Sequence, residues 1–112
     1  MTIRELRGHA ASWKKRLGLR EWEIQVHWGS PSKAPDPSQL EMSEDCDGNA
    51  WWFTEESHAL ILINKRSQIP LETLIHELLH VRLEGHKPAT GKYDPLYERA
   101  LNTIAKELAT SY

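Results

Sequence analysis

The stretch Thr73-Leu74-Ile75-His76-Glu77-Leu78-Leu79-His80-Val81 decides how the rest of the chain is read. It contains His-Glu-x-x-His. On a helix, residues four apart lie on one face, one turn apart, so His76 and His80 aim two imidazole nitrogens at one point. Glu77 sits at the edge of that face. Two neutral imidazoles are good zinc ligands, and a neighbouring carboxylate can take a proton from a zinc-bound water. That is the machinery of a zinc hydrolase, with Glu77 as its general base. The surrounding Leu71, Leu74, Ile75, Leu78, Leu79, Val81 and Leu83 are apolar, which predicts a mostly buried helix. Unpaired polar burial costs on the order of 2–7 kcal/mol, so two histidines and a glutamate in such a helix need partners. A shared metal ion supplies one.

The chain has 112 residues and a net charge of −2, with mean hydropathy −0.60. One small domain over residues 1–112, with a single core, is the expectation. There is no basic excess, so nothing points to nucleic acid. No segment approaches the ~18 apolar residues of a membrane span, and the start carries no apolar run of signal-peptide length. The single cysteine, Cys46, excludes an internal disulfide and suits a reducing cytoplasm.

Outward from the motif, Pro70 suits the first turn of a helix that runs to about Glu84, and Gly85 ends it. Upstream, His58–Asn64 is apolar on both faces and reads as a central strand. A short turn joins it to a strand over residues 49–54, making an antiparallel hairpin. Residues 29–48, with Gly29, Pro31, Pro35, Pro37 and an acidic tract of Glu41, Glu44, Asp45 and Asp47, read as one long solvated loop. Trp22–Trp28 alternates apolar and polar residues and predicts a half-buried strand, with His27 on its polar side. Ile3, Leu6, Ala10, Trp13 and Leu17 form the apolar stripe of an N-terminal helix capped by Gly18. Downstream, residues 86–92 are a turn-rich link. Residues 93–109 form a last helix whose buried stripe is Tyr97, Ala100, Leu101, Ile104 and Leu108.

A catalytic zinc site has three protein ligands and keeps one position for water. Two residues compete for the third place. Glu98 lies on the last helix, and an antiparallel packing would bring it to the metal. His86 follows His80 at the spacing of the metzincin pattern, but that pattern wants glycine where this chain has Leu83. Glu98 is therefore preferred, with His86 as the alternative ligand or as a group lining the cleft.

His76-Glu77-Leu78-Leu79-His80 followed by Glu98-Arg99-Ala100-Leu101-Asn102 resembles the gluzincin zinc peptidases, most of all the very small single-domain members of phages and prokaryotes. The order of elements is also similar to SprT-like and ImmA/IrrE-type peptidase domains. The resemblance implies an α+β, zincin-like fold: an N-terminal helix, a small three-stranded mixed sheet, the motif helix and a C-terminal backing helix. It implies one Zn2+ held by His76, His80 and Glu98. It also implies an edge strand at Asn49, Ala50, Trp51 and Trp52 that pairs with the main chain of a peptide or protein substrate. Trp51 and Trp52 are candidates for walling a side-chain pocket, but packing on alternate faces, core and surface, is the preferred reading of each. An oxyanion-stabilising residue is part of the same pattern, for which Tyr93, Tyr97, Tyr112 and His86 are candidates. The rival expectation is a zinc-stabilised peptide- or protein-binding module with little proteolytic activity.

Overall fold

A computed structural model describes residues 1–88 and 93–111. The part of the 86–92 link from residue 89 onward, and Tyr112, lie outside the described residues. The elements follow in the order α1 (Ile3–Arg16), β1 (Glu23–Ser32), a 3-10 turn (Pro37–Gln39), β2 (Glu41–Ser43), β3 (Gly48–Phe53), a second 3-10 turn (Thr54–Glu56), β4 (His58–Asn64), α2 (Pro70–Glu84) and α3 (Pro95–Ser111). The class is α+β, with three helices and a four-stranded mixed sheet in the order β2-β1-β4-β3.

The sheet has one strand more than the sequence reading expects, and the addition comes from the segment read as a loop. β1 continues to Ser32, and β2 pairs with it in parallel, Ser30 opposite Glu41 to Ser32 opposite Ser43. Gly29 and Pro31 look like strand breakers but serve the pairing. A Cβ on Gly29 would lie 2.6 Å from the Met42 sulfur, so glycine is what lets buried Met42 pack over β1 against Leu62. Ser30 donates its N–H to Leu40 on the β2 side. By alternation Pro31 faces the other side, beyond the end of the β1–β4 ladder at Gly29, where a missing N–H costs nothing.

β4 is the interior strand expected, parallel to β1 and antiparallel to β3. Val26, Ala59, Ile61 and Ile63 of the sheet face the helices, and α2 lies across them through Leu74, Ile75 and Leu78. α1 begins with a Thr2–Glu5 capping box and buries Leu6, Ala10 and Trp13. Gly18 sits at φ 72, the left-handed conformation glycine adopts without strain, and Leu19 N–H closes the helix end on the Lys14 carbonyl. α3 starts later than its periodicity predicts. Asp94 accepts from the N–H groups of Leu96 and Tyr97, and Pro95 takes the first helical position. The buried stripe of α3 is Leu101 and Ala105 with Tyr97, Leu108 and Ala109 beside them, whereas Ala100 and Ile104 face solvent. Among the described residues no helix is long and apolar enough to cross a membrane.

Candidate metal centre

α2 is buried along most of its length, so its polar residues meet protein rather than water. His76 and His80, one turn apart, bring their Nε2 atoms to 3.2 Å. Glu98, from the first turn of α3, straddles the pair: one carboxylate oxygen lies 2.8 Å from His76 Nε2 and the other 2.9 Å from His80 Nε2. These three residues form a group that could hold a metal ion.

The donor set itself fits a cation. The Nδ1 of His80 contacts the Glu84 carboxylate at 2.5 Å, so it carries the proton and Nε2 presents a lone pair. Two imidazole nitrogens facing each other at 3.2 Å need either a proton or a metal ion between them. For ligand bonds of ~2.0–2.1 Å, the edge of a tetrahedral zinc site is about 3.3 Å. The two imidazole nitrogens, 3.2 Å apart, match that edge; the 2.8 and 2.9 Å contacts run to different Glu98 oxygens, and one ligand atom from each of the three residues lies within 4.8 Å of the others.

Electrostatics point the same way. Burial, with the adjacent His80, lowers the His76 pKa and favours the neutral ring, the form that binds metals. Burial also pulls the His80 pKa down, but the hydrogen bond it donates to Glu84 and the charges of Glu77, Glu98 and Glu84 outweigh it and raise the value. The field that favours a proton on His80 equally favours a divalent cation. Glu77 is 6 % exposed, and its Oε1 lies 3.8 Å from His76 Nε2. Burial pushes its carboxyl up to about 7, with the charge of His80 opposing and those of Glu98 and Glu84 reinforcing the shift. A carboxylate poised near neutrality is suited to taking and returning a proton.

The centre opens into a cleft of about 520 Å³. One wall is α3, with Glu98, Arg99, Asn102 and Lys106; the other is the segment from Asp45 to Gly48. That segment is fixed by buried Asn64, whose side chain donates to the Cys46 carbonyl and whose N–H donates to Asp47. A Cβ on Gly48 would lie 2.5 Å from the Thr73 methyl and 3.3 Å from Glu77 Cγ, so glycine permits β3 to start directly against α2.

His86 is exposed and lies beside Gly18, Leu19, Trp22 and Arg82, and it is not in the His76–His80–Glu98 group. β3 is an edge strand, so Asn49, Ala50, Trp51 and Trp52 do occupy a sheet edge. Trp51 and Trp52 alternate and therefore point to opposite faces; they cannot wall one pocket together. Trp52 packs toward the helices and donates its indole N–H to the Lys87 carbonyl. Of the oxyanion candidates, exposed Tyr93 lines the cleft. Tyr97 stands edge-on to His80 and hydrogen-bonds Glu84; burial and that carboxylate push its pKa to about 12.

Two functional neighbours escape the motif reading. Glu84, four residues after His80, orients its ring, and Asn102, four after Glu98, supports the charged form of His76. His76 Nδ1 is left buried without a well-formed hydrogen bond. The signal for both is the helical i,i+4 spacing from a ligand residue. Compared with known protein families, curated proteins and solved structures, the chain matches none.

Proposed function

We propose that this chain is a zinc-dependent metallopeptidase of zincin-like layout, hydrolysing peptide bonds in a peptide or protein substrate. The observation that carries the reading is that His76 Nε2 and His80 Nε2 lie 3.2 Å apart with one Glu98 oxygen on each, at 2.8 and 2.9 Å, beside a buried Glu77 that this group does not use. A purely structural metal site needs no extra carboxylate on its open side.

His76, His80 and Glu98 hold the ion. When bound, zinc supplies a Lewis acid and a water of lowered pKa. Glu77 accepts a proton at its carboxylate and returns it to the leaving amine. Glu84 keeps the His80 proton on Nδ1. The substrate main chain runs along the outer edge of β3. Asp47 offers its carbonyl to β4, so by alternation Gly48, Ala50 and Trp52 offer their N–H and C=O groups outward, to an added strand.

The test is cleavage of unfolded protein and quenched-fluorescence peptide libraries by the zinc-loaded chain and by Glu77→Gln. Hydrolysis by the wild type and a loss of at least about a hundredfold in the variant, which keeps its zinc, is the expected result. Equal turnover by a zinc-replete Glu77→Gln protein would remove Glu77 from the mechanism.

A further inference from the structure

A second strand edge is open on the side of the sheet away from β3. β2 pairs with β1 only from Ser30 onward. Between Glu23 and Gly29, β1 is paired with β4 alone. Glu23 donates its N–H, and Gly29 offers its carbonyl, toward β4. Alternation therefore turns the backbone of Ile24, Val26 and Trp28 outward. The row of the sheet that β2 occupies at one end is vacant along the rest of β1, over ~20 Å at ~3.3 Å per residue.

From Ile24 to His27 that row is a groove, not a flat rim, with the Arg7 side chain reaching into it. Its volume is about 560 Å³, and α1 forms the other wall through Ala10, Ala11, Arg7 and Lys14. The two alanines leave room for a backbone to lie against the helix. Arg7 and Lys14 line it together with His27, and no aspartate or glutamate does, in a chain whose net charge is −2. Arg7 crosses the edge, donating from Nε to the Val26 carbonyl and meeting His27 Nδ1 from Nη2. It holds one carbonyl; the outward N–H groups of Ile24, Val26 and Trp28 have no strand beside them among the described residues.

We propose that this edge of β1 is a docking strand for an extended acidic segment of a partner protein, separate from the metal cleft. Main-chain hydrogen bonds to Ile24, Trp28 and the Val26 N–H supply the attachment, and Arg7 and Lys14 select carboxylate side chains. The chain's own acidic tract is a poor occupant for a second copy's groove, because Cys46 and Asp47 are already tied to Asn64.

The probe is an acetylated, amidated heptapeptide alternating Glu and Thr, titrated into zinc-loaded, isotope-labelled protein at physiological salt, with a Lys-for-Glu peptide as control. The expected result is saturable amide shifts and slowed hydrogen exchange at Ile24, Val26 and Trp28. Lys14→Glu weakens binding at least tenfold, Ala11→Gln fills the groove and does the same, the Lys peptide leaves the amides unmoved, and zinc content is unchanged throughout. Four outcomes overturn the proposal. One is the absence of saturable shifts at these amides up to millimolar peptide. Another is equal binding of the Lys peptide. A third is concentration-dependent shifts there without peptide, which would make a second copy the occupant. The fourth is binding that appears only in Arg7→Ala, which would make Arg7 a guard against edge pairing.

Discussion

In the metal-free protein, Glu77→Gln is expected to raise stability at pH 8 and to do little at pH 5. The folded chain holds the Glu77 carboxyl at about 7, against an ordinary value of 4.5. Between those two values the folded state binds the proton and the unfolded chain has lost it. Stability from this group is therefore present at low pH and lost as pH rises through the folded value. At about 1.4 kcal/mol per pH unit of difference, the change from pH 5 to pH 8 is about 2–3 kcal/mol. Glutamine removes the charge while keeping the shape, so subtracting the variant's curve from the wild type's reports the Glu77 titration together with its coupling to His80. The assay is urea unfolding with a strong chelator present, at pH 5, 6, 7 and 8. With slopes of ~1–3 kcal/mol per molar urea, the midpoint gap between variant and wild type should widen by roughly 1–2 M across the series. A gap that stays constant with pH would mean that Glu77 is ionised in the folded apo-protein, and the burial argument for its role as a base would fail.

The same geometry makes two further predictions. Glu84→Gln removes the carboxylate that fixes the His80 tautomer, and should lower zinc affinity about 10–100-fold in a chelator competition titration; an unchanged affinity would reduce Glu84 to a bystander. Gly48→Ala places a methyl within 2.5 Å of the Thr73 side chain, and should cost about 1–3 kcal/mol in chemical unfolding; a neutral result would show that β3 can retreat from α2.

The histidine pair is legible in the sequence because helix geometry fixes it. His76 and His80 must share a face at i,i+4, whereas Glu98 is separable from His86 only by the resemblance and by the missing glycine at Leu83, and the contact of α3 with α2 settles which joins the pair. The β4 core strand is legible because its residues are apolar on both faces, whereas the edge position of β3 is implied by the resemblance alone. What is not legible depends on contacts between distant residues. β2 is three residues long, too short for alternation to register, and it exists because Met42 packs over Gly29. Gly29 and Pro31 signal a turn locally, and only the partner strand reverses that meaning. The open edge of β1 is invisible for the same reason, since it depends on where β2 stops. In α3 the period alone cannot separate Ala100 and Ile104 from Leu101 and Ala105. The contact with α2 decides, and it favours the narrower stripe.

If His76, His80 and Glu98 hold a zinc ion, metal content must follow those residues. Elemental analysis of wild type, Glu98→Ala and His86→Ala, each purified and reconstituted with zinc in parallel, should give about one zinc per chain in the wild type and in His86→Ala, and a loss in Glu98→Ala. Zinc that survives Glu98→Ala and disappears with His86→Ala, or a wild type that takes up none, would contradict the account.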